Sequence, residues 1–260
     1  MSQNPFGHFV WHDCMSKDPA RSKAFYSELF GWRTQAWNMG EMVYEMLKAT
    51  DDEADLFGGL NKVPDENMPS HWISYLSVED IDAATARAED LGATVLHPPT
   101  EIPTVGRFSI IQDPAGAAVA LYRSDNPQPP RGMEQMKPGL PCWMELITHE
   151  PEKAIAFYGE LCGWTNESKD MGSGMTYHTQ RNGDAGIGGV MKAPMAEIPS
   201  HWYPYFLAGD LATTHARALE LGATQIMPPT DIGEGMGAFS VLHDPTGAVI
   251  GLYGMPDRKG

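Results

Sequence analysis

Cysteine is scarce in this chain: Cys14, Cys142 and Cys162 are the three cysteines among 260 residues. An odd number of cysteines without a CxxC pair excludes a disulfide framework and a cysteine-based zinc site. The sequence therefore predicts free thiols that act as small core residues in a cytoplasmic protein, where thiols stay reduced.

Cations and long apolar runs are scarce as well. Lysine and arginine total 18 against 34 acidic residues, which gives a formal net charge of −16. This charge repels nucleic-acid phosphates and anionic membrane surfaces. No apolar run approaches the roughly 18 residues of a membrane span, and residues 1–5 lack the basic and apolar regions of a secretory signal. We expect a small-molecule ligand or substrate as the partner, with no nucleic acid and no membrane, and a monomer or homodimer.

The chain has no P-loop, GxGxxG, HExxH or Ser/His/Asp signature, but it repeats itself. Four blocks recur at offsets of 130 to 132 residues: 24–32 and 156–164, 69–72 and 199–202, 91–94 and 221–224, 113–117 and 244–248. A nearly constant offset indicates a duplicated domain. The proline-rich, polar stretch 125–137 falls where the repeat restarts and predicts a linker. The expected domains are therefore 1–124 and 138–255.

Local signals predict the elements of each copy. Asp18 and Pro19 are typical of a helix start, and Gly31 is typical of its end. Asp80 predicts a second helix that ends near Gly92. The turn of residues 113–116, Asp-Pro-Ala-Gly, precedes the last strand. Strands are predicted at residues 9–13, 42–47, 56–60, 71–78, 94–96, 108–112 and 117–122.

This pattern predicts an α+β fold of tandem duplicated domains. Each domain consists of two paired βαβββ modules, which form a curved mixed sheet shaped like a cup, with helices on the convex side. Side chains along each strand then face the cup and the helices in turn. Trp72 and Trp202 occupy strand positions whose side chains face the helices, so we expect them in the core.

The helix end Ala-Phe-Tyr-x-x-Leu-x-Gly-Trp, the Leu-Gly-Ala-Thr helix stop and the Asp-Pro-x-Gly turn occur in both copies. With these motifs the chain resembles the vicinal oxygen chelate superfamily, which includes glyoxalase I, bleomycin-resistance proteins and extradiol dioxygenases. The blocks Pro-Ser-His-Trp and Pro-Pro-Thr-[Asp/Glu]-Ile are similar to those of a two-domain subgroup described as glyoxalase-like proteins or hydroxylases. The resemblance implies a cup-shaped pocket in each domain.

The resemblance also implies four metal-ligand positions in each cup of the metal-dependent members. In this chain they carry side chains that are poor ligands: Trp11, Gly59, Ile73 and Ala120 in the first copy, and Trp143, Gly189, Tyr203 and Gly251 in the second. A transition-metal site needs at least three converging N, O or S donors. We therefore predict no cofactor and no metal, and we expect a chelator to leave stability unchanged. A divalent metal held by displaced ligands, namely His71, His201, Asp13 and Glu145, is the disfavoured alternative.

Aromatic and polar residues recur on the expected cup face. The predicted ligand-binding residues are Trp11, Asp13, Tyr44, Tyr122, Trp143, Glu145, Tyr177, Tyr203 and Tyr253. Trp11 and Trp143 either stack on a flat ligand or fill the space of a lost metal. His71 and His201 are the candidate catalytic bases, with a capping or interface contact as the alternative.

Three functional hypotheses follow. The first is a glyoxalase- or bleomycin-resistance-like protein that binds or modifies a small carbonyl or aromatic compound in two cups, without a catalytic metal. If it is an enzyme, a glyoxalase-like lyase or a hydroxylase-type activity is expected. The second is a metal-dependent lyase or dioxygenase with displaced ligands. The third is a non-catalytic structural or interaction protein.

Overall fold

The structure of this protein is a computed structural model that describes residues 5–39, 42–52, 55–132, 135–172, 174–233 and 235–256. The first repeat contains ten elements. They are β1 (Phe9–Ser16), α1 (Pro19–Phe30), β2 (Arg33–Met39), β3 (Met42–Lys48), β4 (Leu56–Lys62), β5 (His71–Ser77), α2 (Ile81–Asp90), β6 (Thr94–Ile102), β7 (Gly106–Gln112) and β8 (Ala118–Ser124).

The second repeat contains the same ten elements in the same order. They are β9 (Pro141–Thr148), α3 (Pro151–Cys162), β10 (Thr165–Gly172), β11 (Met175–Asn182), β12 (Ala185–Lys192), β13 (His201–Ala208), α4 (Leu211–Glu220), β14 (Thr224–Asp231), β15 (Ala238–His243) and β16 (Val249–Gly254). The predicted tandem repetition is therefore confirmed.

The predicted helix boundaries are confirmed by their caps. The Asp18 carboxylate accepts a hydrogen bond from the backbone N–H of Arg21, and Pro19 is the first helical residue of α1. Gly31 ends this helix with φ of 73°, a left-handed conformation that glycine adopts without steric cost. The Asp80 carboxylate caps α2 in the same way, and Leu91 is the capping residue at its end.

Each repeat forms one mixed eight-stranded sheet. The strand order is β2-β3-β4-β1-β5-β8-β7-β6 in the first sheet and β10-β11-β12-β9-β13-β16-β15-β14 in the second. β1 pairs with β4 in parallel and β5 pairs with β8 in parallel, whereas the hairpin strands are antiparallel. This arrangement is the expected pair of βαβββ modules within an α+β fold.

Compact packing divides the chain differently from the repeats. Unit 1 comprises the described residues of Met1–Val10, Ile73–Pro130 and Trp143–Trp202, and unit 2 comprises those of Trp11–Trp72, Arg131–Cys142 and Tyr203–Gly260. Each unit therefore combines residues of both repeats around one apolar core. The predicted linker, residues 125–137, joins the two sequence repeats and crosses from unit 1 to unit 2 between Pro130 and Arg131.

A buried hydrogen-bond relay joins the repeated motifs within unit 2. The indole N–H of Trp72 donates to the Tyr26 hydroxyl (3.1 Å), and that hydroxyl donates to the Asp244 carboxylate (2.9 Å). The other oxygen of Asp244 accepts the backbone N–H groups of Thr246 and Ala248 and so holds the Asp-Pro-x-Gly turn. Trp72 is buried, as its strand parity predicts.

Unit 1 contains the matching relay. The indole N–H of Trp202 donates to Tyr158 (2.8 Å), and the Tyr158 hydroxyl donates to Asp113 (2.9 Å). Asp113 also accepts the backbone N–H groups of Ala115 and Ala117. Three motifs that recur in the sequence are therefore parts of one buried network, which positions the turn before the last strand of each sheet.

No helix within the described residues is both long enough and apolar enough to cross a membrane.

Candidate functional site

Three of the predicted cup residues of the first repeat meet in unit 2. Trp11, Asp13 and Tyr44 form a hydrogen-bonded group that we call the Trp11 cluster. The Trp11 indole N–H lies 2.7 Å from the Tyr44 hydroxyl and 3.0 Å from Asp13 Oδ1. The Tyr44 hydroxyl donates to the same Asp13 oxygen at 2.5 Å. One carboxylate oxygen thus receives two donors, and the cluster closes on itself.

Gly59 provides the floor beneath this cluster. It pairs with Asp13 across β1 and β4, so both residues lie on one face of the sheet. A Cβ atom at position 59 would lie 2.7 Å from Asp13 Oδ1 and closer still to the Tyr44 hydroxyl. The missing side chain is therefore what allows the tyrosine and the carboxylate to meet here.

The second repeat forms the matching group in unit 1, the Trp143 cluster of Trp143, Glu145 and Tyr177. The Trp143 indole N–H donates to the Tyr177 hydroxyl (3.0 Å), which donates to Glu145 Oε2 (3.0 Å). Gly189 pairs with Glu145, and a Cβ on Gly189 would lie 2.6 Å from Glu145 Oε2. The two repeats therefore build the same motif over a glycine.

Glu145 is chemically distinct within this motif. Its side chain is buried with 2 % exposure, and its Oε1 atom has no hydrogen-bond partner among the described residues. Burial raises the Glu145 pKa to about 8, because desolvation outweighs the hydrogen bonds from Tyr177 and Trp143. The carboxyl is therefore mostly neutral at pH 7, which the residue type alone does not indicate.

Neighbouring strands make the two clusters unequal. Trp37 on β2 lies opposite Tyr44, whereas Lys169 on β10 lies opposite Tyr177. Directly opposed residues in an antiparallel pair share a face, so the Trp11 cluster is flanked by a third aromatic ring. Trp37 is a candidate that the sequence reasoning missed, because its copy is a lysine and the repeat comparison gave no signal.

Each candidate catalytic histidine forms a hydrogen bond with the backbone carbonyl of the residue two positions before it. The Nδ1 atom of His71 lies 2.9 Å from the Pro69 carbonyl oxygen, and that of His201 lies 2.8 Å from the Pro199 carbonyl. A carbonyl only accepts, so Nδ1 carries the proton in both rings. Burial lowers the pKa of His71 and favours its neutral form. This geometry matches the capping alternative, and catalysis by either histidine remains a prediction.

Tyr122 and Tyr253 hold neighbouring hairpins. The Tyr122 hydroxyl donates to the Val105 carbonyl (3.2 Å), and the Tyr253 hydroxyl donates to the Met236 carbonyl (2.7 Å). Burial raises the pKa of both phenols, so both stay protonated donors. Neither is joined to a carboxylate by these bonds, in contrast to Tyr44 and Tyr177.

Tyr203 lies beside a second aromatic residue in unit 2. Its hydroxyl is 3.2 Å from that of Tyr205, and Tyr205 pairs with Gly251 across β13 and β16. A Cβ on Gly251 would collide with the Tyr205 ring. The aromatic partner of this glycine is thus Tyr205, two residues beyond Tyr203. In unit 1, Tyr75 pairs with Ala120 in the same register.

The described residues do not fit a transition-metal site. No group of three or more His, Cys, Asp and Glu side chains in the described part of the chain could hold a metal ion. Asp13 and Glu145, the carboxylates of the disfavoured alternative, accept hydrogen bonds from Tyr44 and Tyr177 instead.

Two family models match this chain. Residues 6–121 match the model described as the Glyoxalase/Bleomycin resistance protein/Dioxygenase superfamily, and residues 143–252 match that of the Glyoxalase-like domain. Both matches coincide with the repeats.

Two relatives from the same family align with this chain over most of their length. The protein named "Putative glyoxylase CFP32" of Mycobacterium tuberculosis is 34 % identical over 244 residues, covering 93 % of this chain and 92 % of its own. The anthracycline biosynthesis protein DnrV of Streptomyces peucetius is 30 % identical over 255 residues, covering 92 % and 90 %.

Solved structures share the fold at low sequence identity. The Mn(II)-bound glyoxalase from Novosphingobium aromaticivorans superposes with a TM-score of 0.68 at 15 % identity, covering 97 % of this chain and 83 % of that one. A mutant of homoprotocatechuate 2,3-dioxygenase from Brevibacterium fuscum gives 0.69 at 14 % identity, covering 98 % and 74 %. These similarities concern the fold alone.

Proposed function

This chain belongs to the glyoxalase/bleomycin resistance protein/dioxygenase superfamily, and from that premise we propose that it binds or modifies a small carbonyl or aromatic compound at its two tryptophan clusters without a catalytic metal. Trp11 and Trp143 provide half-buried aromatic surface, and the tyrosines and carboxyls beside them provide polar contacts. Apolar surface with a few placed polar groups is typical of small-molecule sites.

One observation carries this proposal: both repeats place a tyrosine hydroxyl and a carboxyl oxygen against a glycine of the central strands. The family resemblance assigns a metal ligand to that glycine position. The tyrosine and carboxyl occupy the space where the ligand's side chain would lie, and they satisfy each other by hydrogen bonding. A site built this way supports recognition by stacking and hydrogen bonds.

The relatives narrow the class of ligand. One is named a glyoxylase and another an anthracycline biosynthesis protein. A small carbonyl compound and a flat polycyclic aromatic compound both fit an indole face beside a hydrogen-bonding group. We therefore propose these two classes as ligands of this chain, with the polycyclic aromatic class favoured at the Trp11 cluster because Trp37 adds ring surface there.

Binding is expected to be visible at individual tryptophans. The seven tryptophans are labelled with 5-fluorotryptophan and followed by ¹⁹F NMR during titration with 1,4-dihydroxyanthraquinone or methylglyoxal. Trp11 or Trp143 should shift, and the buried Trp72 and Trp202 provide internal controls that should not. Assignment uses Trp11→Phe and Trp143→Phe. Shifts confined to the control tryptophans, or no shift with either compound, would contradict the proposal.

We also expect the purified protein to contain no stoichiometric transition metal. Purified protein should contain less than stoichiometric Zn, Ni, Mn or Fe by elemental analysis, and a chelator should leave its melting temperature unchanged. A bound ion would stabilise the folded state by mass action, so its removal would lower that temperature. About one ion per repeat with a chelator-sensitive melt would favour a metal-dependent lyase or dioxygenase, and Asp13→Asn and Glu145→Gln would then be expected to release the ion.

A further inference from the structure

A line of polar side chains crosses β10 and β11 in unit 1, on the face of the sheet opposite to Tyr177. The Asn166 side-chain amide donates to the Ser168 hydroxyl oxygen (2.8 Å), and Ser168 Oγ lies 2.9 Å from His178 Nδ1. On the other side of the ring, His178 Nε2 lies 3.9 Å from Glu152 Oε1 in the first turn of α3. The fold thus brings together a serine, a histidine and a carboxylate that no sequence motif connects. We call these four residues the Ser168 relay.

The proton positions in the Ser168 relay follow from the chemistry of its groups. An amide nitrogen only donates, so the Ser168 oxygen accepts from Asn166 and its own proton is directed to His178 Nδ1. The ring proton then lies on Nε2, which faces the Glu152 carboxylate. The Asn166 amide is held in this orientation because its Oδ1 atom accepts from Gln180 Nε2 (2.7 Å). In this arrangement the histidine can remove the serine proton while the carboxylate stabilises the imidazolium.

The first repeat shows that the fold does not need this relay. β2 and β3 pair in the same register as β10 and β11, so Ala36 occupies the position of Ser168 and Glu45 that of His178. There Lys23 of α1 forms an ion pair with Glu45 (3.1 Å). One ion pair serves at this place in the first sheet, so the relay is a property of the second repeat.

The serine of the relay is open to solvent. Ser168 is an exposed residue of β10, which forms one edge of its sheet, whereas His178 is buried with 6 % exposure. An edge strand directs every second backbone N–H group away from the sheet, and such groups are suitable donors to an oxyanion. A compound can therefore reach the serine oxygen while the base stays fixed behind it.

We propose that Ser168 is a nucleophile activated by His178, and that this site hydrolyses small activated esters. Ser168 Oγ attacks the carbonyl carbon, and its proton passes to His178 Nδ1. When the bond to the leaving oxygen breaks, Nδ1 gives that proton to the departing alcohol. Water then attacks the acyl-serine and gives a proton to Nδ1, the bond between the acyl carbon and Oγ breaks, and the serine regains its proton as the acid leaves.

Glu152 and Asn166 are positioning residues in this reaction. Glu152 faces the imidazolium that forms when Nδ1 takes the proton, and Asn166 orients the serine hydroxyl. The 3.9 Å separation is longer than a hydrogen bond, and contacts of this kind tighten once substrate is bound. The activity is independent of ligand binding at the Trp143 cluster, because Tyr177 lies on the other face of β11.

Covalent labelling tests the nucleophile directly. The full chain is incubated with a fluorophosphonate probe, which phosphonylates activated serines and releases fluoride, and the labelled residue is identified by mass spectrometry. We expect the label on Ser168, no label there in Ser168→Ala, and labelling about a hundred-fold slower in His178→Gln, as for loss of a general base. Thr165→Ala, an exposed change on the same strand, is the matched control and should be labelled like the wild type. An unlabelled Ser168 in the wild type, or equal labelling rates in wild type and folded His178→Gln, would overturn the inference.

Hydrolysis of 4-nitrophenyl acetate measures turnover and needs no change in the core. Ser168→Ala introduces the residue that the first repeat carries at this position, so it should keep its melting temperature and lose the saturable release of 4-nitrophenol. Equal release by wild type and Ser168→Ala would overturn the inference, whatever the folding of His178→Gln.

Glu152→Gln tests positioning. It should lower kcat by about two- to five-fold, the range of an exposed ion pair, and leave KM unchanged, because the carboxylate acts on a charge that exists only during the reaction. An unchanged kcat, or a change confined to KM, would overturn the role of Glu152.

Discussion

Replacing Glu145 with Gln is expected to make the protein less sensitive to alkaline pH. The Glu145 pKa rises from 4.5 to about 8 on folding, chiefly because burial disfavours the charged form. The folded state therefore binds the proton more tightly than the unfolded state. The stability that this proton contributes is fully present below pH 4.5 and is lost as the pH rises through about 8.

The size of this effect follows from the same shift. A rise in pKa from 4.5 to about 8 corresponds to a change of about 5 kcal/mol in unfolding free energy. This figure is an upper bound, because the unfolded chain is not fully solvated and the folded site relaxes around the charge. Chemical denaturation of wild type and Glu145→Gln should give curves of unfolding free energy against pH that converge below about pH 4.5. They should separate between pH 4.5 and about 8 in favour of the variant and stay separated above that range. The control Glu160→Gln changes an exposed carboxylate that pairs with Arg87, and its curve should track that of the wild type. Parallel curves for wild type and Glu145→Gln would show that Glu145 is ionised or accessible in the folded state.

Adding one methyl group at Gly189 is expected to disrupt the Trp143 cluster. In Gly189→Ala the new Cβ would lie 2.6 Å from Glu145 Oε2 and closer to the Tyr177 hydroxyl. The neighbours are a buried carboxyl and a ring fixed by hydrogen bonds, so neither moves freely. Overpacking a well-filled site costs about 1–3 kcal/mol or more, and loss of the Tyr177–Glu145 bond adds to it.

The control is another glycine-to-alanine change. Gly209→Ala places its Cβ at an ordinary 3.7 Å from Pro138, and Gly209 lies outside the left-handed region, so stability should change little. Urea denaturation measures both variants. A double-mutant cycle with Tyr177→Ala should recover most of the Gly189→Ala loss, because the ring that collides is gone. Additive effects in that cycle would mean that the strain arises elsewhere.

The edge strands show where local sequence gives too little information. The βαβββ pattern requires a strand directly after α1 and after α3, but no local signal places β2 or β10, and the Thr165–Gly172 strand (β10) is exposed along its whole length. A polar edge strand has no alternation of buried and exposed residues, so the period-two pattern that reveals β1 and β5 is missing. Its existence depends on hydrogen bonds to β11, which is a tertiary contact.

The candidate site, too, could be predicted from the sequence only in part. Strand parity was enough to place Trp11 and Asp13 on one face, because side chains alternate along a strand. Nothing in strand parity indicates that Tyr44 would reach Asp13 across Gly59, or that the Tyr205 ring would cover Gly251. Those pairings depend on register between strands that are distant in sequence.

The sequence by itself determined the duplication, the helix caps, the Asp-Pro-x-Gly turns and the family, because each is encoded in short segments or in their repetition. Only the tertiary structure decided that one core combines modules of both repeats and that Tyr158 of one repeat bonds Asp113 of the other. It also decided that Glu145 is buried and that burial raises its pKa to about 8. The physical reason is that burial and hydrogen-bond partners are properties of the packed chain, and they change the chemistry of a carboxyl without changing its place in the sequence.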